Sequence, residues 1–368
     1  MNAASPLPRP QDPRIVVAGD DNYVMGMAVT LRSAVERLDP ERRAFAYVLD
    51  GGISEASKEK LRRSLPADRA SLEFVAIDRS RLAKLPISHH ANHCMYLRIL
   101  SGEVLPPSIE RAIYLDSDLL IVDDLGKLWD EPVGDDWALA VPETSAPVMD
   151  ATLTLPRWRR AAPYMASLFP VPNYRAFDID PAAPYFNSGV LVLNLDAFRE
   201  QALAERMLRI LDEHGRYAWC WDQYALNVAL TGHWRPLPLR WNQGSIVYDT
   251  PDWTFSPFEA EPFDSLKRDP AIVHFTTGVK PWHATCRHPF RDRFFETLDR
   301  TAWSGWRPTS SFKQTRKYWF LQLSIACERA TRRVWAMAQK RTPIESEATV
   351  ARKEPIAAPA SSTALERR

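Results

Sequence analysis

Asp116 and Asp118 stand two residues apart inside Ile113-Tyr114-Leu115-Asp116-Ser117-Asp118-Leu119-Leu120-Ile121-Val122, a run otherwise apolar and strand-forming. Residues i and i+2 of a strand point to the same side, so at a strand's end two carboxylates converge on one cation. Hard oxygen ligands of this kind suit Mg²⁺ or Mn²⁺ bridging to phosphates. Asp-x-Asp by itself is by default a solvated turn after a strand. The flanks argue for more, because carboxylates among Ile113, Leu115, Leu119 and Ile121 need partners, and a metal is an economical one.

Other residues carry chemistry only in company. His274, at the end of Ala271-Ile272-Val273-His274-Phe275, taken alone reads as a hydrogen-bonded structural histidine. Asn187-Ser188-Gly189 reads equally as a turn before a strand, and Asp222 as a helix cap. His89 and His90 lie four and three residues before His93, a spacing open to a zinc patch, but no carboxylate or Cys frames it.

The elements that must position these residues alternate. Strands are expected at Arg14–Ala18, Ala44–Asp50, Ser71–Ile77, Arg111–Leu115, Trp137–Val141, Phe186–Asn194 and Ala271–Phe275. Helices are expected at Met25–Leu38, from a cap at Ser54 or Ser57 to Ser64, over Ser88–Leu100, over Leu195–His214, and from Asp222. Alternation of this kind predicts one doubly wound, mostly parallel α/β sheet, with ligands beyond the carboxyl ends of the strands. Asp20, Asp116 and Asp118 fall at such ends. Pro142–Pro184, rich in Pro and aromatics, reads as an irregular excursion over the site.

The 368 residues are 45% apolar and 25% charged, ordinary for a chain with a real core. Net charge is +1, yet Thr309–Arg368 alone carries +7 and leaves the rest at −6. An acidic body with a basic tail points to an anionic surface, not to nucleic acid. Cys94, Cys220, Cys286 and Cys327 are far apart, which fits a reduced, cytoplasmic protein. Met1–Pro13 is polar and Pro-rich, without a signal-peptide core. No run reaches the roughly 18 apolar residues of a membrane span.

In order, Val17-Ala18-Gly19-Asp20-Asp21-Asn22-Tyr23, Tyr114-Leu115-Asp116-Ser117-Asp118, Phe186-Asn187-Ser188-Gly189-Val190, Asp222-Gln223 and His274-Phe275-Thr276-Thr277-Gly278-Val279-Lys280-Pro281-Trp282 resemble glycosyltransferase family 8. That family includes bacterial lipopolysaccharide galactosyl- and glucosyltransferases and, more distantly, glycogenin. The resemblance implies a GT-A fold, a UDP-hexose donor, a saccharide acceptor and an α-linked product formed with retention. It implies Mn²⁺, favoured over Mg²⁺, held by Asp116, Asp118 and His274. Ala18, Asp20 and Asn22 would meet uracil and ribose. Arg98 would reach donor sugar and phosphate, and Lys280 would neutralise the diphosphate. Ser117, Ser188 and Gly278 would complete donor binding. Asn187, Asp222 and Gln223 would hydrogen-bond sugar hydroxyls. Same-face attack is favoured, Gln223 steadying the cation through its amide oxygen, with Asp222 as the candidate nucleophile of a covalent route. Where the family often has Gly three residues after the metal His, this chain has Thr277, with Gly278 next, so the backbone's approach to the phosphates is expected to shift.

The expected organisation is a disordered tail over 1–13, a GT-A domain over 14–308, a basic amphipathic helical segment over 309–341 and a disordered tail over 342–368. Phe312–Arg341 holds eight Lys and Arg against one acid, Glu328, interleaved with Trp319, Phe320, Leu323 and Trp335. Such a segment fits an anionic membrane at the inner face of the cell membrane, holding the enzyme near a lipid-linked acceptor. Its bland alternative is a helix packed on the body. Competing functions are a haloacid-dehalogenase-type phosphatase, which also begins from strand and Asp-x-Asp, and a catalytically silent sugar-nucleotide-binding protein.

Overall fold

The computed structural model describes residues 7–85, 93–310 and 312–339, with the side chains of 312–315 and 317 excepted. Expectations for residues 1–6, for His89 and His90, and for the tail from 340 onward lie outside the described residues.

The strands are β1 Arg14–Gly19, β2 Ala44–Asp50, β3 Ala70–Ala76, β4 Arg111–Leu115, β5 Leu119–Ile121, β6 Ala138–Pro142, β7 Phe186–Asn194, β8 Trp234–Pro236, β9 Gln243–Gly244 and β10 Ile272–His274. Seven form a sheet in the order β3-β2-β1-β4-β7-β6-β8. β1, β2, β3 and β4 are mutually parallel where they pair, as are β6 and β8, while β7 runs antiparallel to β4 and β6. Both faces are covered, so the central strands are buried almost throughout. Val16, Tyr114 and Leu191 face one core cluster, and Ile15, Ile113 and Val190 face the other.

β10 lies within the strand expected over Ala271–Phe275, but β5, β9 and the second, three-stranded sheet β5-β10-β9 that they form with it were not legible in the sequence. Its strands are two or three residues long, too short to show an alternation. Their pairing matters more than their length. β10 lies antiparallel to β5 with His274 opposite Leu119, and parallel to β9 with His274 opposite Gly244.

Three expectations are corrected. Residues 9–13 are held to the body: Asp12, 1% exposed, pairs with Arg9 at 3.0 Å and accepts from the Arg43 N–H at 3.0 Å, and Pro10 O accepts from Trp129 Nε1 at 2.9 Å. The single helix expected over Leu195–His214 is two, Leu195–Glu200 and Leu203–His214, divided where Ala202 takes φ 46°. The helix expected over Ser88–Leu100 is, in its described part, a 3₁₀ helix from His93 to Leu100. There His93 Nε2 lies 3.3 Å from Leu85 O.

Residues 142–184 form the expected excursion, with short helices at Ala151–Thr154 and Trp158–Ala161. One helix, Phe312–Ala338, ends the described chain. Its last turns rest on that excursion: Ala336 is buried with Trp158, Ala161 and Met165, and Arg332 donates to the carbonyls of Met165 and Ala166. Its earlier turns leave Trp319, Phe320 and Leu323 more than 60% exposed. No helix among the described residues is long and apolar enough to cross a membrane.

Candidate active site

Asp116 and Asp118 lie in the tight turn between β4 and β5, so the turn, not strand alternation, brings their carboxylates together. Strand pairing then supplies the neighbours. The Asp116 N–H donates to Gly189 O on β7 at 2.9 Å, and the Phe275 N–H after β10 donates to Asp118 O at 3.1 Å. Thr30, on the helix Val24–Arg37, accepts the Leu119 N–H through Oγ1 at 3.1 Å and donates back toward the Leu119 and Asp116 carbonyls. A hydroxyl inside an apolar helical stripe was the one sequence signal for this support.

Asp116, Asp118 and His274 each offer one ligand atom, all within 4.8 Å of one another. His274 Nε2 is 3.3 Å from Asp118 Oδ1 and 3.7 Å from Asp116 Oδ2. Asp116 Oδ1 is occupied by Arg98 at 2.7 Å and by the Tyr114 hydroxyl at 3.2 Å, leaving Oδ2 for the cluster. Lys280 Nζ sits 2.6 Å from Asp118 Oδ2 and 2.6 Å from Phe275 O. Burial alone would raise the Asp118 carboxyl, but Lys280 and His274 bring it far below the usual carboxylate range. Gly189 makes room: a Cβ there would lie 2.3 Å from His274 Cε1 and 2.8 Å from Asp116 Oδ2. Two carboxylate oxygens and one imidazole nitrogen, with an ammonium already drawn to the same edge, fit a hard divalent cation.

Behind the cluster lies Arg98, 7% exposed. Its guanidinium bridges Asp116 at 2.7 Å and Asp222 at 2.8 Å, donates to Ser188 O at 2.6 Å and stacks 4.4 Å over the Tyr114 ring. The arm expected to reach donor phosphate is thus directed into a pair of acids, as burying them requires. The Asp222 contact is close but poorly aligned, and Oδ2 has no hydrogen-bond donor. Burial pushes the Asp222 carboxyl up to about 6, against the pull of Arg98 and with the repulsion of Asp116. Gln223 Oε1 accepts from the Ser188 N–H at 3.0 Å and its hydroxyl at 3.3 Å, while Nε2 donates to the Tyr185 hydroxyl at 3.2 Å. Its amide oxygen therefore faces Ser188, and the expected contact with a developing cation requires it to turn.

The remaining expected residues divide. Ala18 O accepts from Ser117 Oγ at 2.8 Å, tying β1 to the Asp-x-Asp turn. Asp20 accepts from the Asn22 backbone at 2.9 Å and side chain at 3.0 Å, on the same rim. Gly278 is exposed, with nothing within 4 Å of where a Cβ would stand. Asn187 holds other protein groups: Oδ1 accepts from the Gly189 N–H and Asn242 Nδ2, and Nδ2 donates to Glu143. Asn242 and Glu143 went unnoticed in the sequence. Asn242 is buried in the structure, which nothing in the sequence around it announces.

A family model described as Glycosyl transferase family 8 matches residues 14–286. General stress protein A of Bacillus subtilis is 28% identical over 293 residues, 79% of this chain and 94% of that protein. A lipopolysaccharide 1,2-glucosyltransferase of Escherichia coli is 22% identical over 309 residues, 82% of this chain and 84% of its own length. Among solved structures, a galactosyltransferase LgtC in complex with donor and acceptor sugar analogs superposes with TM-score 0.64 at 24% identity, covering 83% of this chain and 99% of that one. That likeness carries the GT-A fold.

Proposed function

The chain belongs to glycosyltransferase family 8, and from that premise we propose that it transfers a hexose from a UDP-sugar to a saccharide acceptor, with retention, in cell-surface glycan synthesis. The cluster of Asp116, Asp118 and His274 with Lys280 at its edge carries the reading. These three residues would hold Mn²⁺ or Mg²⁺. A bound divalent ion supplies neutralisation of the charge that grows on the departing diphosphate.

The chain's own residues do the rest. Lys280, at the edge of the cluster beside Asp118, would offer its compact charge to the diphosphate. Ala18, Asp20 and Asn22 meet the nucleoside at the rim, and Ser117 and Gly278 line the approach to the phosphates. Arg98 pairs with Asp116 and Asp222 and holds the two carboxylates side by side. Asp222, behind the sugar, presents negative charge to a centre that becomes oxocarbenium-like as its bond breaks. Ser188 and Asn187 fix the sugar-side wall, and Gln223 holds Ser188. The leaving phosphate oxygen takes the acceptor's proton on the face it vacates, which preserves configuration.

The exposed part of the C-terminal helix, carrying Trp319, Phe320 and Leu323, would rest on an anionic membrane near a lipid-linked acceptor. The phosphatase alternative falls with family membership. The silent-binder alternative is addressed by the assay that tests the proposal. Release of UDP is measured over a panel of UDP-hexoses with Mn²⁺, with and without acceptor saccharides. Turnover of a UDP-hexose supports the reading. No release from any donor, with UDP still bound, leaves a silent binder instead.

A further inference from the structure

Hydrogen-bond direction can be followed inward from one backbone group to the proton on His274. The Gly189 N–H can only donate, and it donates to Asn187 Oδ1 at 2.9 Å. That fixes the Asn187 amide, whose Nδ2 then faces the Glu143 carboxylate at 2.6 Å. Glu143 is itself held through Oε1, which accepts the Ser145 N–H at 3.1 Å and hydroxyl at 3.0 Å. Because Asn187 Oδ1 is an acceptor, the group 2.8 Å away must be Asn242 Nδ2. Asn242 therefore turns Oδ1 to His274 Nδ1, at 2.9 Å. An amide oxygen accepts only, so Nδ1 carries the proton. Nε2, on the other side of the ring, faces Asp116 and Asp118.

We infer that Asn242 is a positioning residue that fixes the His274 ring and its Nδ1–H form, so that Nε2 presents a lone pair to a divalent cation. This rests on the proposed reading of Asp116, Asp118 and His274 as ligands. The partner of a ligating histidine's second nitrogen sets ring orientation and basicity, and its loss typically costs about 10–100-fold in metal affinity. Asn242 is 3% exposed and His274 5%, so no bulk water stands ready to replace the lost acceptor. The relay also explains why Asn187 is followed two residues later by Gly189. The first supplies the acceptor that orients Asn242, and the second leaves the space that the oriented ring fills.

The test is Mn²⁺ binding by the full chain without donor or acceptor, read from the electron paramagnetic resonance signal of free Mn²⁺. Asn242→Leu, close in size but unable to accept, should bind Mn²⁺ about 10–100-fold more weakly than the parent chain. Asn242→Asp keeps an acceptor for Nδ1–H but loses the donor to Asn187, so it should bind Mn²⁺ more tightly than Asn242→Leu and more weakly than the parent, a partial rescue that a purely packing role would not give. A measurement without any substitution stands beside these: in the Mg²⁺-loaded parent chain, His274 should show a protonated Nδ1 and an unprotonated Nε2 by ¹⁵N chemical shift. Unchanged Mn²⁺ affinity in Asn242→Leu overturns the inference and leaves the metal site standing, whereas a proton on Nε2 with Mg²⁺ bound overturns the inference and removes His274 from the ligands with it. A parent chain that binds no Mn²⁺ overturns the metal site and this role with it.

Discussion

Lys280 Nζ lies 2.6 Å from Asp118 Oδ2, so one carboxylate of the proposed cation site already holds a positive charge. The pair is nearly dry, each side chain being about one-tenth exposed. A buried carboxylate left without its cation is costly. Divalent metal and diphosphate should therefore enter as a unit, the metal relieving Asp118 and the diphosphate receiving Lys280. UDP is expected to raise Tm only when Mn²⁺ or Mg²⁺ is present, because only a ligand that binds the native state stabilises it. Thermal melts with UDP, GDP and CMP, each with and without Mn²⁺, check this. Equal stabilisation by UDP in EDTA would break the link between metal and nucleotide.

Asp116→Asn and Asp118→Asn remove ligand charge while keeping size. Each should lower UDP release at least about 100-fold, the scale of losing a principal electrostatic stabiliser. The fold should persist, since an amide at 116 can still accept from Arg98 and Tyr114. Turnover and melting of the two variants are the measurements, and full activity in EDTA counts against the whole scheme.

Gly189→Ala tests the space between strand and cluster. Its Cβ would stand 2.3 Å from the His274 ring and 2.8 Å from Asp116 Oδ2, and β7 is a central strand that cannot retreat. Ring and carboxylate must separate. Mn²⁺ binding should weaken about 10–100-fold, the range for disturbing a ligand's supports. Parent-like Mn²⁺ affinity would mean that the cluster tolerates another arrangement.

Asp222, proposed to face the reacting sugar, carries a stability penalty when ionised. Burial raises its carboxyl from 3.8 to about 6. The folded chain thus binds this proton more tightly than the unfolded chain, and between about pH 4 and pH 6 the contribution of Asp222 to stability falls as pH rises. Above that window the ionised group costs on the order of 3 kcal/mol. Asp222→Asn removes the titration. Its Tm relative to the parent should climb from about pH 4 to pH 7, while UDP release falls. A Tm difference that ignores pH would show that Arg98 compensates fully.

What was legible in the sequence follows from how far each interaction reaches along the chain. β1, β2, β4 and β7 are long enough to show their composition, and Asp116 and Asp118 announced themselves as charges in an apolar run. β5 and β9 are short, and the partners of His274 are separated from it by 32 residues at Asn242 and by more than 150 at Asp118. No local pattern encodes such a meeting. Arg98 was found as a residue, but its direction depends on Asp222, whose approach is fixed only when the helix Trp221–Leu230 docks.

The C-terminal helix shows the same limit, and the last prediction follows from it. Its composition was open to a membrane-bound or a body-packed helix, and the structure packs its last turns on the body while leaving its earlier turns exposed. Trp335 meets Trp158 at 5.8 Å and Ala336 is buried, so cutting the whole helix away would uncover the apolar cluster around Trp158 and confuse detachment with damage. Trp319 and Phe320 are 61% and 65% exposed, and changing them disturbs no such packing. Trp319→Ser with Phe320→Ser should leave Tm and turnover of a soluble acceptor analogue within error of the parent. Binding to anionic vesicles should drop, since apolar burial adds to an attraction of about 1 kcal/mol per basic residue near the surface. Salt should weaken what binding persists, because the remaining part is electrostatic and screened. Flotation of parent and double variant with anionic and neutral vesicles, at low and high salt, is the measurement. Equal flotation of the two proteins would take these side chains out of membrane contact and assign the helix to its contact with residues 151–166.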